Sequence, residues 1–384
     1  MPVAISVGDW IGNRFQVFDV HEGGMSLVYV VNDDLGEPGR KVVALKTLRG
    51  ELLRSRIRVR RFATECRLWV QLGEHPNIVR AYSVEIIDGR PYVVLELVQG
   101  GDLYRWIGTA RLDLPRTLRF GYQFCVGLEH ALRQGLHCHR DIKPGNLLVT
   151  EGGTLKITDF GLARVCEEMV AVRPELPDGS IPLSEPTTPQ PIIWTDPQDR
   201  EARGESGWTR DVAVSTGSIG SGTARAQKTK TAAGSNRGGP ASSTVAAAEM
   251  ETREYVSPLE TSNPRITRTG AKLGTGAYMA PEQFRDPSSV DVRADIYSFG
   301  IVLFEMITGR LPFQGGSMDI LDDQHTLYPP GSVVPSITGR YAKFAKPVDA
   351  IVQRCLKKDP EDRFRSVAEL RQAIKQIAGQ LPRR

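Results

Sequence analysis

Apolar and polar positions alternate with a period of two near the N-terminus, and the period later lengthens to that of a helix. Phe15–Val20 and Leu27–Val31 read as two strands joined by His21–Glu22–Gly23–Gly24–Met25–Ser26. Val42–Leu48 also alternates, so Ala44, Lys46 and Leu48 share one face. In the helix that follows, Phe62, Cys66 and Trp69 form an inward stripe, and Glu65 lies on the same side. A lysine on one apolar face and a glutamate on the next are each costly alone, so they are expected to pair. Further on, Leu118–Arg133 reads as a buried helix, and Leu147–Val149 with Leu155–Ile157 as a short hairpin about Glu151–Gly152–Gly153. Ile296–Ile307, Val348–Leu356 and Ser366–Ile377 read as the closing helices.

One long stretch breaks the pattern. From Glu167 to about Arg265 the chain is rich in Pro, Gly, Ser, Thr and Ala and has no sustained periodicity, so it is expected to be a disordered insertion. Its first part is mainly acidic, whereas Val212–Ala248 carries only positive charges.

The candidate chemistry sits on either side of the short hairpin. His139–Arg140–Asp141–Ile142–Lys143–Pro144–Gly145–Asn146 leads into it and Asp159–Phe160–Gly161 leads out. The hairpin would bring Asn146 and Asp159 to one end, close to Asp141. An amide and a carboxylate there suit Mg²⁺, which takes oxygen ligands and keeps few protein groups. Asp141 is then left to accept a proton from an attacking hydroxyl. His-Arg-Asp alone would be compatible with a structural ion-pair network, but the full run at this spacing is far more specific.

These motifs resemble the catalytic core of the protein kinases, and Lys143, two residues beyond Asp141, resembles the serine/threonine class. The resemblance runs from about Phe15 to Ile377 outside the insertion and follows the bacterial, Hanks-type form. It implies an α+β two-lobed fold: a small antiparallel sheet lobe with one main helix, over a large and mainly helical lobe. The implied boundaries are 15–98 for the small lobe, 99–166 and 266–380 for the two parts of the large one, and 167–265 for the insertion. It implies transfer of the γ-phosphoryl of Mg-ATP, with Mn²⁺ as the alternative ion, to Ser or Thr hydroxyls of protein substrates. Gly23 and Gly24 would close over the phosphates, although His21 stands where the family has its first glycine, and the turn read alone is a bare hairpin. Val28 and Ala44 would enclose adenine, and Glu96 and Val98 would bind it through the hinge backbone beyond Leu95. Lys46, held by Glu65, would grip the phosphates. Asp141 and Lys143 would act on the hydroxyl, and Asn146 and Asp159 would hold the metal. Trp69, Ala81, Phe160 and His139 would stack between the lobes.

The same resemblance continues after the insertion. Thr267 and Thr269 fall where related kinases autophosphorylate, which implies a transient homodimer for transfer in trans. Thr275 would steady Asp141 and Lys143. Glu282 would pair with Arg363, Asp295 would hold the catalytic loop from below, and Arg140 would receive an activating phosphate. Arg54, Arg56, Arg58, Arg60 and Arg61 read as a solvated helix face, or more sharply as an anion site. The alternative to an enzyme is a pseudokinase scaffold, suggested by His21 and the long insertion.

Composition changes this picture little. The 384 residues can bury a large core, and a net charge of +4 gives no argument for nucleic acid. Five scattered cysteines without a CxxC pair suit a reducing cytoplasm and no zinc site. Ile296–Ile307 is too short for a membrane span and carries Glu305, and no signal peptide opens the chain.

Overall fold

Alternation along the first strands builds a sheet with two different faces. The computed structural model describes residues 5–23, 26–36, 41–160 and 275–382, all within one unit of the chain. Gly24, Thr267, Thr269 and the insertion 167–265 lie outside the described residues. Strands β1 (Trp10–Ile11), β2 (Phe15–Glu22), β3 (Ser26–Asp33), β4 (Val42–Leu48), β5 (Ala81–Ile87) and β6 (Arg90–Glu96) form an antiparallel sheet in the order β1-β2-β3-β4-β6-β5.

Because side chains alternate across a strand, β4 divides its residues between two cores. Val43 and Leu45 join Phe15, Val17, Tyr29, Val31 and Tyr92 on one face. Ala44 and Leu48 join Phe62, Cys66 and Trp69 of helix α2 (Arg56–Gln71) on the other. Lys46 points to the α2 side and is buried with only 8% of its surface exposed. Helix α1 (Gly50–Leu53) leads into α2, and Ser55 caps α2 by accepting from the Arg58 N–H.

The second lobe is built on helices. Helix α3 (Leu114–Arg133) starts at the N-cap Asp113 with Pro115 in its first turn, which suits a proline that has no N–H to satisfy. It packs against α5 (Val292–Thr308), where Phe124 and Phe299 stack with centroids 3.8 Å apart. Helix α5 is buried from Ala294 to Met306 on every side, which marks it as the central post of the lobe. Asp291 caps its start, and Gly309, at φ 73°, ends it in the left-handed conformation that a side chain would resist. Helices α7 (Ala345–Cys355) and α8 (Val367–Ala378) pack against it, and α4 (Pro281–Arg285) packs against α6 (Met318–Leu327). Strands β7 (Leu147–Val149) and β8 (Leu155–Ile157) form the expected hairpin. Among the described residues no helix is long and apolar enough to cross a membrane.

Candidate active site

The loop 139–146 is held from below by a buried carboxylate. Asp295, fully buried in the first turn of α5, accepts from the backbone N–H of His139 and of Arg140, each at 2.7 Å. Burial raises its pKa above the usual carboxylate value, while the field of His139 and those two N–H bonds pull the other way. The His139 ring sets its own tautomer: Nε2 lies 2.9 Å from the Thr158 carbonyl and must carry the proton, so Nδ1 accepts from the Asp141 N–H at 3.4 Å. Arg140 is buried and takes φ 68°, and Asp159 takes φ 66°. A left-handed non-glycine residue costs about 1–2 kcal/mol, so both bends are imposed by their surroundings.

Those bends gather the polar groups. Lys143 Nζ donates to Asp141 Oδ2 at 2.8 Å and to Thr275 Oγ1 at 3.2 Å. Thr275 therefore reaches Asp141 through Lys143. Asn146 Nδ2 donates to the Asp141 carbonyl and to Asp141 Oδ2, both at 2.8 Å. With its nitrogen engaged there, the amide presents its oxygen as the atom for a cation. One amide oxygen plus the Asp159 carboxylate is a donor set that fits a magnesium-like ion sharing its shell with phosphate and water.

Lys46 reaches the same place from the sheet, but its pairing differs from the expectation. Its Nζ lies 2.5 Å from Asp159 Oδ1. The expected Lys46–Glu65 pair is not among the ion pairs of the described residues. Glu65 is buried on the inward face of α2, and Glu65, Lys46 and Asp159 all act electrostatically on the neighbouring Cys66, whose thiol is pushed up mainly by burial. Lys46 is thus paired with Asp159, the residue whose backbone takes the left-handed bend.

The remaining predicted residues fall into three groups. At the adenine end, Val28 and Ala44 lie on adjacent strands and Ala44 pairs in register with Leu95. The Val98 N–H and C=O have no hydrogen-bond partner among the described residues, which suits a hinge that binds a base. The Glu96 side chain is engaged elsewhere, accepting from Lys156 Nζ at 2.9 Å and from the Arg80 N–H at 3.1 Å. At the phosphate turn, the Gly23 N–H donates to the Ser26 carbonyl, and Arg49 donates to the Gly23 carbonyl and to Glu22. Between the lobes, Phe160 lies 5.9 Å from Trp69 and 4.9 Å from His139, centroid to centroid, and the Trp69 N–H donates to the Val79 carbonyl at 2.8 Å.

Below the site, Glu282 and Arg363 form a two-pronged ion pair at 2.6 and 2.8 Å. Sequence reasoning missed Gln283 beside it. That buried side chain donates from Nε2 to the Arg140 carbonyl and accepts at Oε1 from the Ala280 N–H, both at 3.0 Å.

This arrangement of sheet lobe, helical lobe and polar cluster has a direct counterpart among known families. The protein kinase domain model matches residues 20–175 and 259–375, and the chain belongs to that family. It is 29% identical over 367 residues to a probable serine/threonine-protein kinase of Streptomyces coelicolor, covering 94% of this chain and 39% of that protein. It is 26% identical over 379 residues to the serine/threonine-protein kinase PknB of Mycobacterium leprae, covering 97% of this chain and 44% of that protein. The chain thus spans about two fifths of the length of these curated relatives.

Proposed function

We propose that this chain is a serine/threonine protein kinase that moves the γ-phosphoryl of Mg-ATP to Ser or Thr hydroxyls of proteins. The observation that carries the reading is the joint engagement of Asp141 by Lys143 and Asn146, with Lys46 and Asp159 paired alongside. In this reading Asp141 orients the substrate hydroxyl and accepts its proton, and Lys143 offsets the charge that develops on the transferring group. Lys46 holds the phosphates, with Glu65 close by on α2. Gly23 and Gly24 cover them, and Val28, Ala44, Glu96 and Val98 form the adenine site. Asn146 and Asp159 would hold Mg²⁺, or Mn²⁺ in its place. When bound, the ion neutralises phosphate charge.

The domain limits follow as 15–98, 99–166 and 266–380, with 167–265 as an insertion. A cytoplasmic setting agrees with ATP as substrate and with the free thiols of Cys66, Cys125, Cys138 and Cys355. Radiolabelled ATP tests the reading directly: the wild type is expected to label itself, and Asp141→Asn to lose at least about 100-fold in rate. An unlabelled wild type with bound nucleotide would instead support the scaffold reading.

Activation is proposed to follow phosphorylation of Thr267 and Thr269 in a transient homodimer. A phosphothreonine adds nearly two negative charges and three strong acceptors. Arg140 stands next to Asp141, and Arg58 and Arg61 lie on the helix that carries Glu65, so new contacts there would couple modification to the catalytic loop. Mass spectrometry of active protein should find phosphate at these positions, and Thr267→Ala/Thr269→Ala should lose at least about tenfold in activity toward an added substrate. Full activity of that double variant would move the switch elsewhere.

A further inference from the structure

Gln283 does more than cap a short helix. Three residues after Ala280, its Oε1 accepts from the Ala280 N–H at 3.0 Å, and that bond alone would be an ordinary helix start. Its Nε2 goes elsewhere, to the Arg140 carbonyl across 143 residues of sequence. The amide fits in one orientation only, because exchanging its oxygen and nitrogen would set donor against donor and acceptor against acceptor. Only 7% of Gln283 is exposed, so losing either bond leaves a buried polar group unsatisfied.

The carbonyl it holds is a consequential one. The Arg140 C=O and the Asp141 N–H belong to the same planar peptide, so fixing one fixes the other. Arg140 is in a left-handed conformation, with its own N–H held by Asp295 at 2.7 Å. Asp295 therefore clamps the front of this strained residue and Gln283 clamps its back. Among the described residues the Asp141 N–H itself has only the long 3.4 Å contact to His139, which is a weak restraint. Gln283 also belongs to the segment that carries Thr275, which touches Lys143. The segment 275–285 thus reaches the catalytic loop at two points, one on each side of Asp141.

We propose that Gln283 is a positioning residue for the transfer reaction: it locks the Arg140–Asp141 peptide and makes the aim of Asp141 depend on the order of the segment leading into α4. The inference rests on the kinase reading above. It predicts a loss in kcat with little change in KM for ATP, since the side-chain hydrogen bonds of Gln283 go to Ala280 and Arg140, neither of which belongs to the proposed nucleotide site.

The test uses the full chain with wild type as reference and Asp141→Asn as blank. Absence of transfer in the wild type would reject the kinase reading itself, separately from this one. Gln283→Met keeps the length of the side chain and removes both hydrogen bonds; kcat should fall about 10- to 100-fold. Gln283→Glu gives a sharper readout. While protonated, the introduced carboxyl can donate to the Arg140 carbonyl and accept from the Ala280 N–H, as the amide does. Once ionised, it keeps the second bond, loses the first, and faces a carbonyl oxygen. The ratio of variant to wild-type kcat should therefore fall as pH rises from about 5.5 to about 8.5, the range in which a buried glutamate titrates. A merely structural role would lower thermal stability and leave that ratio flat. A Gln283→Glu profile parallel to wild type overturns the proposal, whether or not the methionine variant folds.

Discussion

Lys46→Met and Asp159→Asn are each expected to cut phosphoryl transfer by at least about 100- to 1,000-fold, the scale seen when one preorganised charge is removed from a reacting centre. The two groups meet at 2.5 Å across the cleft, one from β4 and one from the left-handed residue after β8. Their side chains retain 10% and 19% exposure, so water can reach whichever group is left alone. The stability cost should stay near 1–2 kcal/mol, a few degrees in Tm. Circular dichroism and melting curves beside a rate assay separate the two effects. Retained activity in either variant would remove these residues from the site.

Arg363→Met should behave in the opposite way, with a large loss of stability. The guanidinium is fully enclosed, while its partner Glu282 keeps 22% exposure. Besides the pair, it donates to the carbonyls of Arg293, Lys357 and Lys358 and lies 4.8 Å from the centre of the Tyr297 ring. Methionine satisfies none of these acceptors. Breaking a buried pair from one side costs about 3–5 kcal/mol, which for a domain of this size is roughly 6–15 °C in Tm. Glu282→Gln, which still accepts and leaves the cation with its carbonyls, should lose less than half as much. Equal melting temperatures for Arg363→Met and wild type would show that the pair is not structural.

The contrast shows which features a sequence can carry. The hairpin β7–β8 has the boundaries read from its apolar runs, and Lys46 and Glu65 stand out because each puts a charge on an apolar face. The pair Glu282–Arg363 and the support from Asp295 rest on motifs with fixed spacing. What escaped is set by tertiary approach. Lys46 pairs with Asp159, and the left-handed bend at Asp159 leaves no mark in the local pattern. Gln283 is a single amide with no periodic context, and its importance lies in a carbonyl 143 residues away. The strand β1 and helix α6 are too short or too polar to announce themselves.

The stack between the lobes has a consequence for small-molecule inhibitors. Trp69 is fixed at both ends, by its N–H on the Val79 carbonyl and by its ring against Phe160, with Ala81 in the same core. Compounds that require Phe160 to swing out of the stack must give up its contacts with both Trp69 and His139. Compounds that occupy only the proposed hinge would meet the N–H and C=O of Val98, which have no hydrogen-bond partner among the described residues, and would disturb none of this. On the proposed kinase reading, screening against this chain should therefore return mostly ligands of the Val98 backbone.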